Sequence, residues 1–267
     1  MSSHDSSGET RRRALEIRRR IIDMAHRSGS AHVGSALSCA DILAVLYFEV
    51  LRLRPWENRD YFVLSKGHAA MCLYAALDLS GILEPGQADS YFLNDGALPA
   101  HLDRFTGRGI EVSAGSLGHG FNVALGLAYG LKLRRSPQAV YALIGDGESQ
   151  EGSIWEGAMF APKLGLDNVT VFLDFNNLQG YGRATELCSF EPVADKWRAF
   201  GWHAVDVDGH DHEALCDAIA QRSGGRPKMI VARTVKGKGV SFMEDQLVWH
   251  YYVVTAELRA RAMEELQ

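Results

Sequence analysis

Cysteine is scarce in this 267-residue chain, and the four present, Cys39, Cys72, Cys188 and Cys216, form no CxxC pair. That spacing argues against a structural zinc site and for reduced, mostly buried thiols. Long hydrophobic runs are missing as well. The longest near the N-terminus, Ile42 to Phe48, falls far short of the roughly 20 residues that a bilayer-spanning helix needs. The Arg-rich N-terminus is interleaved with Asp5, Glu9, Glu16 and Asp23, and no apolar signal core follows. A secretory signal is therefore not expected, and a cytoplasmic location is. Excess positive charge is also absent: 33 acidic against 28 basic side chains give a net charge of −5 and no footprint for nucleic acid. What remains is ordinary. With 46% hydrophobic and 23% charged residues, the chain has the balance of a globular protein and the length to bury a full core.

Without internal repeats, the chain alternates short apolar strands with helical stretches. Residues 1–12 are small and polar at first and predict a disordered tail. A helix is expected over Arg11 to His26. A second opens at Ser38, with Asp41 three residues on as a capping-box partner. Strands are expected at Tyr61 to Leu64, Ala139 to Ile144, Val169 to Phe175, Trp202 to Val207 and Met229 to Thr234. Helices are expected at Ala69 to Ser80, Asn122 to Leu133, Trp155 to Leu166 and His212 to Gln221. Glu84 to Glu111 is glycine-containing and loose. This order predicts an α/β domain over residues 13–252, with a mainly parallel sheet flanked by helices, and a terminal helix over 253–267.

The strand–helix–strand unit from Ala139 to Phe175 ends both its strands at one edge of the sheet. Gly145-Asp146-Gly147 follows the first strand and Asn176-Asn177 the second. Asp146 would be a hard oxygen ligand, Asn176 a neutral one, and flanking glycines would let backbone amides approach a phosphate. Taken alone, GDG reads more simply as a turn, and it is the pairing with a second strand end at the same edge that argues for a site. Gly115-Ser116-Leu117-Gly118-His119-Gly120 is a second glycine cluster, but it is not GxGxxG and no strand precedes it. His32, His68, His101 and His250 each sit in a glycine-containing or irregular segment, which suggests a polar pocket for phosphate and hydroxyl groups. His4, His210 and His212 read as surface residues.

With these motifs in place, the sequence resembles the N-terminal, pyrophosphate-binding part of transketolase, over residues from about 13 to 252. GDG followed by NN resembles the thiamine diphosphate fingerprint. SGSAHVGSALSCADILAVLY, LSKGHA, LPAHLD, AGSLGHG and VKGKGVSFMEDQLVWH, in that order, resemble transketolase itself. The resemblance implies a thiamine diphosphate-binding fold and transfer of a two-carbon ketol unit from a ketose (phosphate) to an aldose. It implies that Asp146, Asn176 and the carbonyl of Leu178 hold Mg2+ (or Ca2+). Gly145, Gly147, His68 and His250 would surround the diphosphate, with Asn176 also at the cofactor, and Gly115 and Leu117 would touch its rings. His32 and His101 would face the sugar's hydroxyls and move protons, His250 would count with them among the catalytic residues, and Glu151 would join a carboxylate network between paired sites. The sequence departs from the family at Ala31, Val33 and Phe175, at Gly180-Tyr181-Gly182 and at Tyr251-Tyr252.

No glutamate here has the context of the one that holds the aminopyrimidine in this family. The resemblance therefore implies a separately encoded C-terminal subunit carrying the pyrimidine-binding domain, in a heterotetramer. The alternatives are a related thiamine-dependent transferase serving another aldehyde or a carrier-bound acceptor, and a non-catalytic subunit that retains the fold. Neither membrane nor nucleic acid is expected as a partner.

Overall fold

A computed structural model describes the backbone of residues 3–267 and the side chains from Ser7 onward. Within them, runs rich in β-branched and aromatic residues become five strands: β1 Tyr61–Leu64, β2 Val140–Gly145, β3 Val169–Phe175, β4 His203–Asp208 and β5 Lys228–Arg233. All pair in parallel, in the order β1-β2-β3-β5-β4. Buried on both faces, β1, β2, β3 and β5 have apolar residues at most successive positions, whereas the edge strand β4 alternates apolar with polar residues. Val63, Ala142, Ile144, Val171, Leu173 and Val231 pack to one side, while Phe62, Leu64, Leu143, Phe172 and Ile230 pack to the other.

Ten α-helices among the described residues cover those two faces: α1 Ser3–Ser28, α2 Val33–Ser38, α3 Ala40–Val45, α4 Ala70–Leu79, α5 His119–Leu133, α6 Gly152–Lys163, α7 Ala184–Leu187, α8 Val193–Ala199, α9 His212–Ala220 and α10 Ala256–Glu265. α5, α6 and α8 seal the first face, where Phe121, Trp197 and Trp202 are fully buried against one another. α1, α3, α4 and α9 seal the second. Burying one such large side chain contributes about 1.5–3 kcal/mol, and a layered core sums many of these.

Three expectations need correction. The stretch expected to be a disordered tail is largely helical, because α1 begins at Ser3. Glu9 pairs with Arg12 and Arg13, and both arginines pair with Glu16, at 2.5–3.0 Å. Such spacings each add a few tenths of a kcal/mol to a helix. Thr10 is buried and anchors this segment to His212. Ser38 does not open a helix with Asp41 as its capping partner. It ends α2, and its hydroxyl donates to Asp174 at 2.6 Å. Asp41 instead receives Arg18, His210 and His212. Those two histidines are consequently not surface residues: His212 is 2% exposed and the His210 side chain 14%. The side chain of His4 lies outside the described residues. The remaining strands and helices fall within a few residues of their expected limits, and the four cysteines are unpaired.

Candidate functional site

At the carboxyl edge of the sheet, Gly145 of β2 lies opposite Asp174 of β3. The chain leaves these strands through Asp146 and Asn176, so both arrive on one side of one cleft. That cleft has a volume of about 480 Å³. Open parallel sheets bind ligands at this edge. Loops after β1 and β3, the start of α2, the 101–117 loop and the segment before α10 complete it. His32, His68, His101, Gly115, Leu117, Gly145, Asp146, Gly147, Glu151, Asn176, Leu178 and His250, each singled out in the sequence, all line it.

Asp146 is buried. Its Oδ1 accepts the Gly147 N–H at 2.7 Å, and its Oδ2 has no hydrogen-bond partner among the described residues. An orphaned carboxylate oxygen is costly, and burial together with the neighbouring Asp174 pushes the carboxyl up to about 6. Asn176 is oriented by its own loop: its Nδ2 donates to Asp174 at 3.0 Å, and its Oδ1 accepts the Leu178 N–H at 3.0 Å. An amide oxygen so aimed keeps a second lone pair free. A carboxylate, an amide oxygen and a backbone carbonyl form a hard, oxygen-only donor set, which suits magnesium or calcium. Among the described residues no group of three or more His, Cys, Asp or Glu could hold a metal, so a carboxylate-rich or thiolate site is not present there.

The histidines converge. The His32 ring lies 5.4 Å from His68, 6.1 Å from His101 and 5.0 Å from His250, centroid to centroid. His32 caps α2 with a left-handed backbone, and its N–H donates to the carbonyl of His250 at 3.0 Å. Burial, then the charges of His101 and Lys236, lowers the His32 imidazole to about 4. Burial and Lys236 lower His250 to about 3, and burial with Lys66 holds His68 well below the usual range. These rings are therefore neutral near pH 7 and can accept hydrogen bonds. His32 Nδ1 is buried without a partner among the described residues.

Reading the sequence missed the cations beneath the cleft. Lys66 is fully buried and donates to Asp174 at 2.5 Å and to the Ser35 carbonyl at 3.0 Å. Burial opposes both charges, but their mutual attraction prevails, so the Lys66 pKa is raised and that of Asp174 lowered. Asp174 also accepts Ser38 and Thr234, and so fixes the amide of Asn176. Lys236 donates to the Leu178 carbonyl and bonds His250 Nδ1, both at 2.8 Å, and burial lowers it to about 8. The signal was available: each lysine stands two or three residues after a buried strand, inside SKGH and VKGK. Glu151, by contrast, is exposed at the cleft rim, at the start of α6.

A fully parallel sheet with a hard-oxygen donor set, a glycine turn and neutral imidazoles at its carboxyl edge has the form of a phosphate-cofactor-binding α/β domain, although the Gly145 and Gly147 N–H groups are already bonded to Glu148 and Asp146. The chain belongs to the family described as transketolase, thiamine diphosphate binding domain, whose model matches residues 10–261. It is 42% identical over 257 residues to the 6-deoxy-6-sulfo-D-fructose transketolase subunit of Clostridium sp. (strain MSTE9), covering 94% of each chain. It is 36% identical to an apulose-4-phosphate transketolase subunit of Phocaeicola vulgatus, covering 93% of this chain and 90% of that one. The transketolase of Leishmania mexicana superposes with a TM-score of 0.89 at 30% identity, over 96% of this chain and 41% of that one. The chain thus matches a subunit of its own size in some relatives and about two-fifths of a longer chain in others.

Proposed function

We propose that this chain binds thiamine diphosphate and a divalent cation in the cleft and works as the N-terminal subunit of a two-component transketolase. The observation that carries the reading is the buried, unpartnered Oδ2 of Asp146 beside the oriented amide of Asn176. In this reading Asp146, Asn176 and the Leu178 carbonyl hold Mg2+ (or Ca2+). Gly145, Gly147, His68 and His250 surround the diphosphate, and Lys236 adds positive charge against it. Gly115 and Leu117 meet the cofactor's rings. When bound, thiamine diphosphate supplies the carbanion chemistry that makes and breaks the carbon–carbon bond. The protein's part is to bind, orient and move protons. His32 and His101 face the sugar's hydroxyls and pass protons to and from them, with His250 beside them at the diphosphate. Glu151 belongs to a carboxylate network between paired sites.

The donor is a ketose and the acceptor an aldose. The partner is a separate subunit bearing the pyrimidine-binding domain; that the partner is separate is supported by the relatives named as subunits, which match this chain over 90% or more of both lengths. Leu133 on α5 and Met159 and Phe160 on α6 are more than half exposed, an apolar surface suited to such an interface in a heterotetramer. A cytoplasmic location fits four unpaired cysteines, and no described helix is long and apolar enough to cross a membrane.

Calorimetric titration with thiamine diphosphate and Mg2+, with the partner present, tests the reading. Asp146→Ala should weaken binding by well over tenfold, roughly 1.4 kcal/mol or more. Equal affinity of variant and wild type would remove the cation assignment.

A further inference from the structure

Glu148 follows the GDG turn, and no role in the cleft's chemistry has fallen to it. It is 1% exposed, yet it carries a carboxylate into the interior. Its Oε1 accepts the Ser65 hydroxyl at 2.5 Å and the Gly118 N–H at 2.9 Å, and its Oε2 accepts the Gly145 N–H at 3.1 Å. Ser65 Oγ in turn accepts the Phe121 N–H, in the first turn of α5, at 2.7 Å. The donors come from three separate places: the end of β1, the loop entering α5 and the end of β2. Each of those segments lines the cleft a residue or a few away, through His68, through Gly115 and Leu117, and through Asp146 and Gly147.

These loops touch backbone to backbone. A Cβ at Gly67 would come within 2.5 Å of the Ala114 carbonyl oxygen, and one at Gly120 within 2.7 Å of the Ser65 Cα. Segments packed that closely leave inward N–H groups with no room for water, and each needs an acceptor. One carboxylate supplies acceptors for all three segments at once. An amide of the same shape could not, because its NH2 would face a donor.

We propose that Glu148 is a positioning residue for the cofactor site: one carboxylate that sets the spacing of the three loops carrying its cofactor-facing groups. The proposal rests on the thiamine diphosphate reading above, and two measurements separate them. The first is amide hydrogen exchange on the cofactor-free chain. Glu148→Gln should speed exchange at Gly118 and Gly145 by about tenfold or more while leaving the central strands β3 and β5 protected. The second is titration with thiamine diphosphate and Mg2+ in the presence of the partner subunit, where Glu148→Gln should weaken binding by about tenfold or more. Glu148→Asp keeps the charge but is one methylene shorter, so it should not restore affinity. Ser65→Ala removes a single leg and should show a smaller loss, with exchange accelerated at Phe121. Rescue by Glu148→Asp, or a folded Glu148→Gln with affinity within twofold of wild type, would overturn the proposal. If Glu148→Gln does not fold, unchanged affinity in Ser65→Ala overturns it instead. A wild-type protein that does not take up thiamine diphosphate refutes the cofactor reading, and the exchange rates at Gly118 and Gly145 then still judge the brace.

Discussion

In the proposed role, Asp146 shows how a cation-binding residue would work against the stability of its own fold. Its carboxyl, raised from the ordinary 3.8 to about 6, prefers to be neutral in the folded chain. Below pH 3.8 it is protonated whether folded or unfolded, and it costs nothing. As pH rises through 6 the unfolded chain gains more from ionisation, so the folded, metal-free protein loses stability, on the order of 3 kcal/mol by pH 7.5. Asp146→Asn should therefore melt higher than wild type at pH 7.5 without metal. Added Mg2+ should raise the melting temperature of wild type and leave that of the variant unmoved. Equal stabilisation of both by Mg2+ would contradict this. The histidines run the other way. His32 and His250 are depressed from 6.5 to about 4 and about 3, so their stabilising contribution is complete above pH 6.5 and is lost as pH falls towards those values. Imidazole NMR shifts should show both rings without titration between pH 8 and 5. A midpoint near 6.5 for either would mean that the pocket is wetter than described.

Among the elements, α1 and α9 are joined to the VKGK loop through Asp41. Arg18 reaches it at 2.5 and 3.1 Å, His210 at 2.6 Å and His212 at 3.0 Å. Because the Val235 N–H donates to His210 Nε2 at 2.8 Å, the His210 proton sits on Nδ1 and points at Asp41. This network holds the segment after β5 from which Lys236 reaches beneath the cleft to the Leu178 carbonyl and His250. Asp41→Ala leaves Arg18 buried without a counter-charge, and should cost about 3–5 kcal/mol in urea unfolding. A loss below about 1 kcal/mol would make the network ornamental. Here too lies the limit of what the sequence discloses. Strand positions and the Asp146–Asn176 pair were legible because they depend on local apolar runs and on a parallel crossover. Ser38 and Asp41 at capping-box spacing looked like a helix start, yet each found a stronger partner far along the chain, Asp174 and Arg18. His210 and His212 sit in a polar turn and looked solvated for the same reason. Glu148, Lys66 and Lys236 take their meaning from loops that meet only in the folded sheet.

At the scale of the whole molecule, the cleft opens beside apolar residues that none of the described residues covers. Tyr181, Val248, Tyr251 and Tyr252 stand at 51–87% exposure around or near its mouth. Side chains of this kind are what a second subunit would bury while closing over a cofactor. Relatives named as subunits of similar length point the same way. The most direct measurement is ketol transfer from a panel of ketoses, with thiamine diphosphate and Mg2+ present, by the isolated chain, by the isolated partner and by their mixture. The mixture alone should transfer the two-carbon unit, with each subunit inactive by itself. Robust transfer by the isolated chain at catalytic concentration would contradict the account.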